Sequence, residues 1–395
     1  MEARTLPEAL SLIMEQRGCS QARLGRDMGK SQTWVSAVIN GDRGHDFKKV
    51  INGLARVGWE VVIRPKREEP DAVKRREFHQ RVITIGAASA VEAARSAIFI
   101  PSPTAGPFKD PFFIRNLAGR LADSQRESGG VAVLATASRH FGQIRSLLAN
   151  NDPQLQQASA YLARQIGWTL WDAGRFDAAE NAGRMSLELA RCANDFEGQA
   201  WAFSLLCKND VERRRNSGAL KYAQAGLQLR EVAPGVRTQL TMRLGRSLSL
   251  VRGQERNARE HIDRALGFEG ADSFDVAEIW SDAGNSLLDL GRYADAYDSF
   301  GQAVEHWGQW SAIQANCLGG QVKAALRAHE AVPRGHWLPM AADRMVALAH
   351  TVPLVSSARV DRKVTDILAA TAQWNTVPEM RQARDLLQDV SPRSA

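Results

Sequence analysis

The feature that most constrains the fold of this chain is an internal repeat that begins near residue 157. Four alanines, Ala179, Ala219, Ala258 and Ala296, follow one another at intervals of 40, 39 and 38 residues. Self-similarity at such a period indicates stacked helical units, each too small to bury its own apolar face. We therefore predict a mainly all-α fold, whose larger part is an α-solenoid of helix pairs.

The two clearest copies of the repeat share a glycine, a large apolar residue, a glycine-arginine-aromatic run and an alanine. The first copy has Gly167, Leu170, Gly174-Arg175-Phe176, Ala179 and Leu187, and the second has Trp280, Gly284, Leu287, Gly291-Arg292-Tyr293, Ala296, Phe300 and Ala303. Both resemble the tetratricopeptide repeat, a pair of antiparallel helices. Because the period exceeds the family's usual length of about 34 residues, we expect longer helices or turns.

The first helices of such pairs line a concave groove. Their outward positions carry amides and arginines suited to a peptide backbone and its carboxylate, and indoles suited to a flat small molecule. The predicted groove residues are Arg164, Trp168, Trp171, Lys208, Asn209, Arg246, Ser281, Asn285 and Asn316. For each residue taken singly, solvated surface and packing between repeats remain alternative roles.

A second pattern, from Ser20 to Arg43, predicts two short helices joined by a tight corner. Ser20 and Ser31 are suited to cap the two helices, Gly29 allows the corner between them, and Asn40-Gly41 ends the second. Apolar residues recur at helical spacing on the inner side. The second helix leaves three small polar residues facing outward on its N-terminal half: Gln32, Thr33 and Ser36.

This stretch resembles the Cro/C1-type (XRE-family) helix-turn-helix repressors. The resemblance is carried by Gln21, Leu24, Met28-Gly29, Ser31-Gln32, Ser36, Asn40-Gly41 and Arg43. It implies that Gln21 contacts DNA phosphate and that Gln32, Thr33 and Ser36 read bases. Gly25 departs from the family's usual alanine, at a cost of about 1 kcal/mol in helix propensity. A structural helix corner without nucleic acid is the alternative.

The charge distribution favours nucleic-acid contact by the N-terminal region. Residues 1–67 hold twelve Lys/Arg and seven Asp/Glu, giving +5 of the total net charge of +7. Attraction to phosphate is sequence-independent and salt-sensitive, so it supports DNA contact without specifying a site. The further phosphate contacts expected around the helix pair are Arg23, Lys30, Arg43 and Lys48.

We predict four segments: a helix-turn-helix domain at 1–65, a charged and Pro-containing linker with a possible helix at 66–111, the repeat domain at 112–389 and a frayed end at 390–395. In residues 59–64 the apolar Trp59, Val61 and Ile63 alternate with Glu60, Val62 and Arg64, which predicts one short β-strand. Its pairing with a second copy of the chain would make a homodimer. An extended arm that lies on its own domain is the alternative.

Together, a Cro/C1-type reader and a long tetratricopeptide array resemble regulators of Gram-positive bacteria, among them peptide-responsive quorum-sensing receptors and a large actinobacterial group. The resemblance implies a homodimeric transcription factor, bound to a double-stranded DNA operator, whose array binds a peptide or small-molecule effector. A protein-interaction scaffold or an antitoxin-like repressor, controlled by a protein partner, is the alternative.

Other functional classes find little support in the sequence. It contains no HExxH, P-loop, GxSxG or dinucleotide-binding pattern, so we expect no enzyme activity and no cofactor. Four scattered cysteines and eight histidines show no metal-ligand spacing, so no metal is expected. Neither a membrane span nor a secretion signal is visible, and we expect a cytoplasmic, nucleoid-associated protein.

Overall fold

A computed structural model describes residues 10–11, 13–15, 19–28, 30–39, 107–145, 152–268, 273–307, 310–333 and 336–391. The chain divides into two compact units, Met1–Thr104 and Ala105–Ala395. All regular structure in the described ranges is helical, which confirms the predicted all-α fold. The predicted strand at 59–64 lies outside the described residues, as do Arg43, Lys48 and nearly all of the 66–111 linker.

The described part of the first unit contains the predicted helix pair, α1 (Gln21–Met28) and α2 (Gln32–Ile39). The hydroxyl of Ser31 accepts a hydrogen bond from the Trp34 backbone N–H at 3.1 Å, and that of Ser20 accepts one from Arg23 at 3.4 Å. Both serines therefore cap their helices as predicted. A preceding helical segment contributes to the buried core of this unit, which contains Leu10, Ile13, Leu24, Met28 and Val35.

Gly25 has a packing role that the sequence comparison did not predict. A Cβ atom at this position would lie 3.0 Å from the backbone oxygen of Lys30 and 3.1 Å from that of Ser31. The Lys30 N–H also donates a hydrogen bond of 2.7 Å to the Gly25 carbonyl. Glycine thus permits the chain that leaves α1 to pass close to the helix, which offsets part of its lower helix propensity.

The second unit is a stack of helices joined by short turns. Its helices are α3 (Pro111–Ser128), α4 (Leu134–Arg145), α5 (Pro153–Asp172), α6 (Phe176–Cys192), α7 (Phe196–Glu212), α8 (Asn216–Leu227), α9 (Pro234–Leu248), α10 (Glu255–Leu266), α11 (Ser273–Asp289), α12 (Tyr293–Trp307), α13 (Ser311–Ala331), α14 (Trp337–Thr351), α15 (Ala358–Ala370) and α16 (Pro378–Val390). From α5 to α14 they form five consecutive antiparallel pairs. Short 3₁₀ segments lie at Pro107–Lys109, Val352–Leu354 and Ala372–Trp374.

The repeating alanines occupy equivalent places in this stack. Ala179, Ala219, Ala258 and Ala296 are each the fourth residue of the second helix of a pair, and each has no exposed surface. A small side chain there lets the two helices of a pair approach closely. The period of 38 to 40 residues thus corresponds to one helix pair.

The turns inside four of these pairs share a left-handed residue. Gly174, Gly253 and Gly291 have φ values of 72°, 81° and 72°, and the equivalent residue of the α7–α8 turn is Arg214, with φ of 57°. Glycine adopts this conformation without a steric cost, whereas arginine does not. The glycines of the repeat pattern therefore permit the chain reversal in three of the pairs.

The two ends of the second unit meet, so that the stack closes on itself. Helix α3 packs against α13, and α13 packs against α15. The Ser356 N–H donates a hydrogen bond of 2.7 Å to the Ser128 carbonyl, and the Val131 N–H donates one of 2.9 Å to the Ser356 carbonyl. The groove predicted for an open array is therefore a partly open cavity between the helices. None of the described helices combines the length and the apolar content that crossing a bilayer requires.

Candidate ligand-binding cavity

The interior of the second unit contains a cavity of about 320 Å³. Its walls come mainly from the first helix of each pair, namely α5, α7, α9, α11 and α13, and from α3 and α15 at the closure. The volume lies at the lower end of the range of about 300–1,000 Å³ that is typical of small-molecule sites. The cavity is therefore large enough for a compact ligand.

Eight of the nine predicted groove residues line this cavity. They are Arg164, Trp168, Trp171, Lys208, Arg246, Ser281, Asn285 and Asn316. The ninth, Asn209, does not line it and is fully buried. Since successive residues of a helix point about 100° apart, Asn209 faces away from the wall on which its neighbour Lys208 lies. Neither atom of the Asn209 amide has a hydrogen-bond partner among the described residues.

A cluster of four charges crosses one wall of the cavity. The ammonium of Lys208 lies 2.9 Å from a carboxylate oxygen of Glu278 and 3.2 Å from one of Asp282. The guanidinium of Arg243 is paired with the same two carboxylates and donates a hydrogen bond of 3.0 Å to the Ser204 hydroxyl. Arg243 is fully buried, so these partners replace the water that it loses. The cluster holds α7, α9 and α11 together.

The pKa values in this cluster reflect its burial. Burial and the neighbouring charge of Arg243 lower the pKa of Lys208 to about 8. Burial also acts to raise the pKa of Glu278, but the charges of Lys208 and Arg243 outweigh it and keep that pKa well below its usual value. At neutral pH the wall therefore carries paired charges, with Lys208 still mainly protonated.

Aromatic rings and cations alternate over the rest of the wall. The indoles of Trp168 and Trp171 meet edge to face, with ring centroids 5.6 Å apart. The Lys208 ammonium lies 5.6 Å and 5.3 Å from these two ring centroids, and the Arg359 guanidinium lies 3.7 Å from that of Trp171. Cations at these distances are stabilised by the negative faces of the rings. The two tryptophans thus form part of the cavity wall and stabilise the neighbouring charges.

At the closure, Asp172 joins the first pair to α15. One of its carboxylate oxygens accepts a hydrogen bond of 2.6 Å from the Gly130 N–H, and the other accepts one of 2.9 Å from the Ser357 hydroxyl. The guanidinium of Arg359 lies 3.7 Å away. Burial raises the pKa of Asp172, while the charge of Arg359 and the hydrogen bonds from Gly130 and Ser357 act in the opposite direction.

The sequence analysis did not predict several residues that line the cavity, although the helical spacing of three of them indicates their position. Arg243, Glu278 and Asp282 each precede a predicted groove residue by three positions, so they belong to the same helical face. Extending the predicted face by one turn would have identified them. Arg359 had no such signal, because its place in the wall depends on the closure of the stack.

The predicted DNA-contacting residues lie on or beside α1 and α2. Gln32, Thr33 and Arg23 are exposed, whereas Gln21, Lys30 and Ser36 are half-buried. The ammonium of Lys30 lies 5.6 Å from the ring centroid of Trp34. Gln32 and Thr33 are thus accessible at the start of α2, while Val35 belongs to the core.

Fold and cavity together define the class of this protein as an α-helical repeat protein with a small cavity lined by charged and aromatic residues. Among the residues that the structure describes, no group of three or more His, Cys, Asp or Glu side chains is placed to bind a metal ion. Comparison of the sequence with models of known families and with curated proteins gives no match. The assignment of a function therefore depends on the geometry.

Proposed function

We propose that this chain is a sequence-specific DNA-binding transcriptional regulator whose repeat unit binds an effector that modulates DNA binding. The observation that carries the DNA-binding half is the helix pair α1–α2, with serine-capped helices, an apolar inner side and exposed Gln32 and Thr33. A second helix of this form presents its N-terminal half to base edges in the major groove. The basic excess of residues 1–67 would supply attraction to phosphate.

The cavity supports the effector half of the proposal. Its volume of about 320 Å³ equals that of roughly ten water molecules. A small molecule fits this space, whereas an extended peptide of several residues would have to reach beyond it, so we favour the small-molecule effector. The same volume counts against a folded protein partner inside the array. We propose binding and no catalysis, because the carboxylates of Glu278 and Asp282 are both engaged by Lys208 and Arg243.

The proposed mechanism is a population shift. A ligand that prefers one arrangement of the repeat helices would favour that arrangement, and a dimer would convert it into a change in the separation of its two reading helices. Half-sites about one DNA turn apart would then bind more or less tightly. Sedimentation tests the dimer directly, since a monomer at micromolar concentration would contradict it.

A gel-shift assay tests the DNA-binding half, with the full-length protein and DNA from its own promoter region. The double variant Gln32→Ala/Ser36→Ala is expected to weaken specific binding at least about tenfold, because it removes side chains that would read bases. Gln224→Ala, at an exposed position of α8, is the matched control and should leave binding unchanged. Unchanged binding by the double variant would show that α2 is not the reading helix.

A further inference from the structure

The cavity is lined by more basic than acidic residues. Six lining residues are basic and four are acidic: Arg126, Arg164, Lys208, Arg243, Arg246 and Arg359 against Asp172, Glu212, Glu278 and Asp282. All four acids have basic partners close by. Glu278 and Asp282 pair with Lys208 and Arg243, Asp172 lies beside Arg359, and Glu212 lies 3.8 Å from Arg362.

Arg164 differs from the other cations of the cavity. Its guanidinium lies between two aromatic rings, 4.9 Å from the ring centroid of Tyr161 and 5.0 Å from that of Trp201. In the part of the chain that the structure describes, it has neither a hydrogen bond nor a carboxylate within ion-pair distance. The two rings fix the plane of the guanidinium while its N–H groups stay available to the cavity.

A second arginine lies at this end of the cavity. Arg126, from the last turn of α3, also lines the cavity, and its guanidinium lies 3.5 Å from a carboxylate oxygen of Asp123. Burial lowers the pKa of Arg164 to about 10; the charges of Asp195 and Glu197 act to raise it, and that of Arg126 acts to lower it. Arg164 therefore remains protonated at neutral pH, although no carboxylate of the described residues lies within ion-pair distance of its guanidinium. A bound anion would supply the acceptors that Arg164 lacks.

Next to this positive end, the cavity offers a flat apolar surface. Trp168 is one helical turn beyond Arg164 on α5, is half-buried and lies edge to face with Trp171. Ala312 and Ile313 of α13 add apolar surface without charge. Stacked or edge-on rings are the arrangement that aromatic ligands adopt against indoles. A ligand with an anionic group and a planar apolar ring would therefore fit adjacent parts of this cavity.

From this arrangement we propose that the ligand is a small aromatic carboxylate. Its carboxylate would accept two hydrogen bonds from the guanidinium of Arg164, and its ring would lie against the indole of Trp168. The volume limits it to on the order of ten to fifteen non-hydrogen atoms, that is one ring or two fused rings. The proposal rests on the function proposed above for the cavity, and it names the chemical class of the effector.

Calorimetric titration of the full-length protein tests this class. The probes are benzoate, salicylate, 2-naphthoate and indole-3-acetate, each compared with its neutral primary amide. At least one acid is expected to bind, and its amide should bind at least about tenfold more weakly, because the amide cannot form the charged pair. Binding of the amide as tight as that of the acid, or no binding by any of the four acids at millimolar concentration, would overturn the proposal.

Two variants of Arg164 test the contact itself. Arg164→Met keeps the apolar stem and should weaken binding of the acid at least about tenfold while leaving that of the amide unchanged. Arg164→Lys keeps the charge but loses the two-pronged geometry, so an intermediate loss is expected. Arg327→Met is the matched control, since Arg327 is exposed, pairs with Glu330 and does not line the cavity. Equal affinity of Arg164→Met and wild type for the acid would contradict the assignment.

The gel shift described above separates this proposal from the function on which it rests. If the protein binds its promoter DNA but none of the acids, the proposed ligand class is wrong and the proposed DNA-binding function stands. If an acid binds with the expected dependence on Arg164 but DNA is not bound, the ligand class stands and the regulator is wrong. Thermal melting would reveal whether Arg164→Met is unfolded. In that case, the affinities of Arg164→Lys and wild type for the acid are compared instead, and equal values would contradict the assignment.

Discussion

The hydroxyl of Ser357 donates a hydrogen bond of 2.9 Å to the carboxylate of Asp172, although the two residues are 185 positions apart. Both side chains are buried, and the same hydroxyl accepts a hydrogen bond of 3.3 Å from the Val360 N–H at the start of α15. This contact joins the first helix pair to the C-terminal helices. It is one of the contacts by which the two ends of the stack meet.

Removing this hydroxyl is expected to weaken the closure. Ser357→Ala removes both a helix cap and a bond to a buried carboxylate, so the free energy of unfolding should fall by about 2 kcal/mol. Urea denaturation measures the change. Thr365→Ala, on the exposed side of the same helix, is the control and should cost less than about 0.5 kcal/mol. Equal stability of the two variants would show that the closure contributes nothing.

Stability should depend on pH through Asp361, which also lies on α15. Burial, and then the charge of Asp172, raise the pKa of Asp361 from 3.8 to about 6. Between these values the folded state binds more protons than the unfolded chain, so the free energy of unfolding should fall as the pH rises from about 4 to about 6. We expect a fall of about 1–2 kcal/mol, less than the full shift implies, because Asp361 is partly in water.

Urea midpoints measured across that pH range test this dependence. Asp361→Asn should make the decline smaller, since the amide does not titrate, although buried Asp172, whose pKa is also raised, still contributes. Asp385→Asn, at an exposed position of α16, should leave it in place. A decline in Asp361→Asn as large as that of the wild type would assign the titration to another group.

The buried charge cluster predicts a large mutational effect at Arg243. Arg243→Met leaves the carboxylates of Glu278 and Asp282 with Lys208 as their remaining cation, and the free energy of unfolding should fall by about 3–5 kcal/mol. Adding Asp282→Asn leaves one balanced pair, Lys208 with Glu278, and should recover about 1 kcal/mol or more. Thermal or urea unfolding gives both values. A double variant less stable than Arg243→Met would contradict this account.

Replacing glycine by alanine should have opposite effects on stability at two positions, one packed against a ring and one in open space. At Gly284 of α11 a Cβ would lie 2.9 Å from the ring of Phe300, so Gly284→Ala should destabilise the protein by about 1–3 kcal/mol. At Gly119 of α3 a Cβ would meet nothing within 4 Å. Gly119→Ala should therefore stabilise it by up to about 1 kcal/mol through helix propensity. Calorimetric melting of the two variants provides the comparison.

The local features of this molecule could be predicted from its sequence, because short-range physics determines them. The serine caps of α1 and α2, the helix pairs and the buried alanines all follow from spacing within about forty residues. The same spacing placed Arg164, Trp168 and Lys208 on one face of their helices. Asn209 was misplaced because the position of a residue around a helix depends on the exact register of the repeat.

Only the tertiary structure decided how that face is used. A small rotation from each helix pair to the next determines whether the array stays open or closes, and no local pattern specifies the sum of these rotations. The closure brings Ser357 to Asp172 and Arg359 to Trp171, and it converts a predicted groove into a cavity of about 320 Å³. The sequence by itself thus determined the helix pairs and the chemistry of their inner faces, whereas the curvature of the stack decided what size of ligand those faces can enclose.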